Sequence, residues 1–178
     1  CEKCGSSLNA NDLINPKSVL SGKTPVLKET KHWYLPMQRH ENWLKDWITE
    51  GTLEGKEHHD PKKWRKQVIG QCMSWIDGGL APRAMTRDLS WGVPDPIDGE
   101  EGKVLYVWLD APIGYMASFE NLCSRTDYNF DDYWQKGADT ELYHFIGKDI
   151  VNFHTLFWPA MLTSANYRTP SAVYFMAS

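Results

Sequence analysis

Long apolar runs are missing from this 178-residue chain. No window approaches the ~18–20 apolar residues that a membrane-spanning helix needs, so no membrane partner is expected. Positive charge is not in excess either: 19 Lys and Arg stand against 23 Asp and Glu, a net charge of −4. That balance argues against the broad basic surface typical of nucleic-acid binding. The opening CEKCGSSLNANDL has neither the basic start nor the apolar stretch of a secretory leader, and a cytoplasmic setting is expected. Cysteine is scarce. Cys72 and Cys123 fall in expected helices, so the four cysteines at 1, 4, 72 and 123 form no disulfide framework and the last two read as reduced thiols. No glycine-rich loop follows a first strand, as a free-standing nucleotide-binding enzyme would have. No Ser/His/Asp or Cys/His pair stands out, and no side chain is assigned as catalytic.

What is present centres on KVLYVWLDAPIGYMASFENLC, residues 103–123. Val104 to Leu109 is a near-continuous apolar and aromatic run, which predicts a strand covered on both faces, as in a parallel sheet. Asp110 then offers an N-cap and Pro112 a first helical residue that needs no N–H, predicting a helix start. Gly114 leaves a patch free of side chain where a ligand could approach. In open α/β sheets ligands bind beyond the carboxyl ends of strands. There Trp108, Ala111, Pro112 and Tyr115 are either ordinary core residues or the lining of an apolar, sulfur-tolerant pocket with one polar handle.

Elsewhere, Cys1-x-x-Cys4-Gly5 is the knuckle in which two thiolates bite one metal ion, or an incidental or redox pair; structural zinc wants four ligands, and two are in view. Residues 12–27 mix Pro, Gly and short apolar runs and predict brief strands and turns; 30–36 predicts another strand. Trp43, Leu44, Trp47 and Ile48 mark an amphipathic helix over 40–50 that Gly51 ends. Residues 54–63 predict a charged loop with His58 and His59 solvated rather than metal-bound, and His32 and His40 read as surface or packing residues. A second helix over 62–80 carries Trp64, Val68, Cys72, Trp75 and Ile76 on one face. Asp131 and Asp132 are candidate caps of a short helix. A strand over 141–146, a helix from Asp149 and a strand over 171–178 complete the alternation of parallel βαβ units.

Two strand ends would then share one lip. Gly147 permits close approach to backbone, and Asp149 is either a plain N-cap or an acceptor for ribose hydroxyls. Ile150, His154 and Trp158 recur at one helical face, where His154 is either a hydrogen-bonded core residue or a pocket group. Arg87 either clamps an anionic group or pairs with Asp88 or Asp110.

VWLDAPIGYM (107–116), HFIGKDIVNFH (144–154), INPKSVLSG (14–22) and PRAMTRDLSWG (82–92) together resemble the methionyl-tRNA synthetase family over essentially the whole chain. The match is a middle slice, because the ATP signatures His-Ile-Gly-His and Lys-Met-Ser-Lys-Ser do not occur. The resemblance implies an α/β fold: the second half of a class I synthetase Rossmann-like catalytic domain with parallel strands, plus a small β-rich insertion. It divides the chain into part of a zinc-bearing connective insertion (1–36), a helical connection (37–82) and the C-terminal half of the catalytic domain (83–178). It implies a methionine pocket of Trp108, Ala111, Pro112, Tyr115, Ile150 and His154, an ATP ribose site at Gly147 and Asp149, and Arg87 as active-site support. It further implies half of a zinc site at Cys1 and Cys4, whose other cysteines would precede residue 1. ATP with Mg, methionine and tRNA are the implied substrates, with the main tRNA surface elsewhere and the isolated segment inactive. The alternative is a non-catalytic zinc-knuckle module that binds RNA or protein.

Overall fold

The computed structural model describes residues 10–176, so Cys1 and Cys4 lie outside the described residues. The chain divides into two compact units, residues 1–31 and 32–178. In the first, one 3₁₀ turn (Ala10–Asp12) is followed by irregular chain, with a turn in which the Gly22 N–H bonds the Ser18 carbonyl at 2.8 Å. The strands expected over 12–27 do not form. Pro16 and Pro25 remove donors from any ladder, and Ile14, Val19, Leu20, Val26 and Leu27 bury no common face.

The second unit mixes helices and short strands. Its elements are β1 (Tyr34–Leu35), α1 (Glu41–Thr49), β2 (Thr52–Leu53), β3 (Lys56–Glu57), α2 (Lys66–Asp77), β4 (Arg83–Ala84), β5 (Thr86–Arg87) and β6 (Val104–Leu105). They continue with α3 (Val107–Asp110), α4 (Ile113–Cys123), α5 (Asp131–Trp134), β7 (Tyr143–Gly147), α6 (Trp158–Ser164) and β8 (Ala172–Met176). The strand expected over 30–36 shrinks to β1, which pairs antiparallel with β4.

The α1 stripe behaves as its spacing predicts: Leu44, Trp47 and Ile48 are fully buried. They meet Val68, Cys72 and Ile76 of α2, and both helices share one core with Ile146, Leu156, Ala160 and Val173. Cys72 is a core thiol. Its Sγ donates to Thr155 Oγ1 at 3.2 Å, and burial raises its pKa to about 11, so it stays protonated. Cys123 is likewise a free thiol.

Residues 52–57 form a hairpin instead of a loop. Glu54 and Gly55 both have positive φ, 52° and 75°, the geometry of a tight two-residue hairpin turn. His58 and His59 are half-buried rather than fully solvated. The Trp47 indole donates to His58 Nδ1 at 3.3 Å, His58 Nε2 meets Thr169 Oγ1 at 3.0 Å, and the His59 ring stacks on Trp64 at 5.3 Å. The charge of the flanking sequence masked two rings that tertiary packing draws inward.

The expected central strand is also corrected. Only Val104–Leu105 is extended, and it pairs antiparallel with β5, Thr86 opposite Leu105 and Arg87 opposite Val104. The Tyr106 N–H still reaches the Met85 carbonyl at 2.8 Å. Next, the Leu109 N–H bonds Tyr106 at 2.7 Å and the Ala111 N–H bonds Val107 at 2.9 Å, turning the chain into α3. A six-residue apolar run does not by itself distinguish a buried strand from a strand that becomes a helical turn. Asp110 therefore sits inside α3, and α4 begins after Pro112 with no side-chain cap. Asp131 and Asp132 do not cap α5: its N-cap is Phe130, which makes no side-chain cap bond, and the Asp131 N–H bonds Asn129 Oδ1 at 3.1 Å.

Among the described residues parallel pairing is confined to β7 and β8, Tyr143 opposite Ala172 through Gly147 opposite Met176. The helical run between them makes one βαβ unit. That run is not the uniform helix expected from Asp149: a 3₁₀ turn (Lys148–Ile150) precedes a π segment (Phe153–Phe157) and then α6. Pro159 is the cause. It has no N–H for the Thr155 carbonyl and its ring crowds that position, and the Trp158 N–H bonds Phe153, five residues back. Among the described residues no helix is long and apolar enough to cross a membrane.

Gly51 fixes how α1 enters the hairpin. Its φ is +70°, its carbonyl accepts from the His58 and His59 N–H groups, and an added Cβ would lie 2.0 Å from the His59 carbonyl oxygen. Gly51→Ala is expected to lower stability by at least about 2 kcal/mol, read as a lower urea midpoint at unchanged m-value.

Candidate functional site

Three elements build the site: the α3–α4 junction, the inward face of β7, and the π segment. The alternating burial of β7 turns His144 and Ile146 inward and Tyr143 and Phe145 outward. The π segment presents His154, 2% exposed, toward the first turn of α4, where Tyr115 is 44% exposed.

Tyr115 Oη and His154 Nε2 are 3.0 Å apart, and His154 Nδ1 is 3.0 Å from the Ile150 carbonyl oxygen. A carbonyl only accepts, so His154 carries its proton on Nδ1. Nε2 is then a lone pair, and the Tyr115 hydroxyl donates to it. His144 is fixed the same way. The Trp158 indole N–H donates to its Nε2 at 3.1 Å, so the His144 proton is on Nδ1.

The rings pack as one group. His144 and His154 centroids are 5.1 Å apart, Tyr115 lies 5.4 Å from His144 and 6.2 Å from Trp158, and Trp108 lies 5.6 Å from Phe153. Both histidines are held neutral. Burial, then the neighbouring His154, lowers the His144 pKa to about 4; burial lowers that of His154, partly offset by its bond to Ile150. The arrangement offers an uncharged, polarizable wall with one hydroxyl, suited to a neutral apolar or sulfur-bearing side chain.

The other expected residues fall around this group. Ile150 packs against the main core and supplies the carbonyl that sets the His154 tautomer. Pro112 is buried, whereas Ala111 and Gly114 border an apolar cavity of about 850 Å³ that also touches Leu109, Leu105 and Met161. Neither Tyr115 nor His154 lines that cavity; we place the site at the ring cluster, where a phenol and two imidazoles converge. Gly147 and Asp149 are exposed at the carboxyl end of β7. The Arg87 guanidinium donates to the Thr86 carbonyl at 2.7 Å and lies 3.8 Å over the Tyr106 ring, bracing the turn that carries Trp108. Asp88 pairs with Lys103 at 2.8 Å.

Sequence reasoning missed His144 and the pairing role of Trp158. The signal was available: in a strand whose alternate residues face inward, a histidine beside isoleucine on the same face is buried. Among the described residues no group of three or more His, Cys, Asp or Glu could hold a metal ion.

The comparisons agree with one another. A family model described as tRNA synthetases class I (M) matches residues 1–177. The Methionine--tRNA ligase of Porphyromonas gingivalis is 54% identical over 162 residues, covering 91% of this chain and 22% of that protein. That of Bacteroides fragilis is 53% identical over 174 residues, covering 97% and 24%. Among solved structures, Mycobacterium tuberculosis methionyl-tRNA synthetase bound by methionyl-adenylate superposes with a TM-score of 0.63 at 25% identity, covering 89% of this chain and 28% of that one. The chain thus spans about a quarter of the length of the relatives it matches.

The buried histidines set an acid limit. His59 and His144 have native pKa values of about 4, and those of His40, His58 and His154 are also lowered, against 6.5 unfolded. Below pH 6.5 the unfolded chain binds more protons than the native one. Stability is therefore full above that pH and falls as pH drops toward about 4. Urea midpoints measured between pH 7.5 and 4.5 should decline across this window; a flat profile would contradict it.

Proposed function

Because this chain belongs to the class I methionyl-tRNA synthetases, we propose that it supplies the methionine side-chain pocket and part of the ATP ribose site of a methionine–tRNA ligase. The observation that carries the reading is the Tyr115–His154 hydrogen bond, 3.0 Å long, with the His154 tautomer set by the Ile150 carbonyl.

Tyr115 and His154 form the polar end of the pocket, and Trp108, Ala111, Pro112 and Ile150 its apolar sides. A thioether is a weak acceptor and a soft, polarizable group. Each contact with an aromatic ring is worth about 0.3–1.5 kcal/mol, and a neutral imidazole and phenol meet it without the cost of leaving a buried charge unpaired. The exposed carboxylate of Asp149 accepts the ribose hydroxyls, and Gly147 lets the nucleotide lie close to backbone. Arg87 steadies the Tyr106–Trp108 turn.

In the intact enzyme the methionine carboxylate attacks the α-phosphorus of ATP. An O–P bond forms to give methionyl-adenylate as the bond to the pyrophosphate leaving group breaks, and the aminoacyl group then passes to tRNA. Positioning and charge stabilisation drive such a step, with no protein nucleophile. The residues that grip the phosphates are not among these 178, since neither ATP signature is present. A zinc ion would draw on Cys1 and Cys4. They supply two of four ligands and the described residues offer no further cluster, so no step depends on it here.

The isolated chain is expected to show no methionine-dependent ATP–pyrophosphate exchange, while a full-length protein carrying it does; robust exchange by the isolated chain would overturn this division. In the full-length protein, Tyr115→Phe removes one hydrogen bond and should raise KM for methionine about fivefold with KM for ATP unchanged. Asp149→Ala should do the reverse.

A further inference from the structure

We propose that His144 is a positioning residue of the methionine pocket: its Nε2 anchors the Trp158 indole, and together they hold Tyr115 and His154 in place. The inference rests on the pocket reading above and concerns a residue to which the resemblance assigns no pocket role.

Three observations carry it. The Trp158 ring is 1% exposed, and its N–H needs a partner where water does not reach; His144 Nε2 accepts it at 3.1 Å. Trp158 is in turn a wall of the site, its ring centroid 6.2 Å from that of Tyr115 and 6.3 Å from that of Trp134, both in edge-to-face contact. His144 also touches both polar residues directly, 5.4 Å from Tyr115 and 5.1 Å from His154. One imidazole on a rigid strand thus braces an indole from α6, a phenol from α4 and a second imidazole from the π segment. A side chain of equal bulk without an acceptor would fill the space but leave the indole N–H unpaired, and the indole would turn to find a partner.

What matters is an acceptor at the Nε2 position. Glutamine can place its amide oxygen there. Asparagine is one methylene too short, and leucine has no acceptor.

The test is pyrophosphate exchange by the full-length protein carrying His144→Gln, His144→Asn or His144→Leu, with thermal melting of each. His144→Gln should keep KM for methionine within about twofold of wild type. His144→Asn and His144→Leu should raise it about tenfold with KM for ATP unchanged. In a Trp158→Phe background, which has no indole N–H to satisfy, His144→Asn should add no more than about twofold.

An unmoved methionine KM in His144→Leu, a His144→Gln variant as impaired as His144→Leu, or a parallel rise in KM for ATP would overturn the proposal. If His144→Leu does not fold, the Gln and Asn pair decides it. Absence of methionine-dependent exchange in the wild-type protein would overturn the ligase reading and this one with it. An active wild type with unmoved variants overturns this one only.

Discussion

A proline inside a helix governs the geometry of the site. Pro159 cannot donate to Thr155, so the run that links β7 to β8 widens to the i to i−5 pattern over Phe153–Phe157. The widened turn places His154 toward Tyr115, Thr155 toward Cys72 of α2, and Trp158 toward His144 of β7. π segments recur at functional sites because they re-aim side chains that a regular helix would hold in register. Here the same segment carries a core contact on one side and the ring cluster on the other.

Tryptophan and histidine act together elsewhere in the fold. The indoles of Trp43, Trp47 and Trp158 donate to ring nitrogens of His40, His58 and His144 at 3.0, 3.3 and 3.1 Å. Each pairing uses the imidazole as an acceptor, which only the neutral ring provides. Burial that lowers the pKa of each ring and the hydrogen bond that needs it unprotonated therefore point the same way. These three tryptophans combine packing with hydrogen bonding.

The second unit joins two kinds of structure. A βαβ unit with parallel strands carries the proposed nucleotide end, whereas the Trp108–Tyr115 segment follows β6, which pairs antiparallel with β5 beside the separate β1–β4 pair. Helices α1 and α2 share the core of the βαβ unit through Trp47, Cys72 and Val173. Both helices thus support the strand and the π segment that carry the site.

Much was legible in the sequence where a local rule decides. The i, i+3, i+4 stripe of Leu44, Trp47 and Ile48, the stop at Gly51, the strand ahead of Gly147 and a strand within 171–178 follow from periodicity and punctuation. That the segments of Tyr115 and His154 would lie close was expected from two strand ends sharing one lip and from the resemblance of their two motifs, but the hydrogen bond between the two side chains comes from the tertiary structure. Tertiary structure decided the rest. An apolar run such as Val104–Leu109 is equally compatible with a parallel strand and with a strand that turns helical, because burial does not name the partner. His58 and His59 sit in charged sequence yet pack against Trp47 and Trp64, because what surrounds a ring depends on chain segments far away in sequence. His144 acquires its role from an indole fourteen residues on, across a widened turn whose path local propensity does not specify.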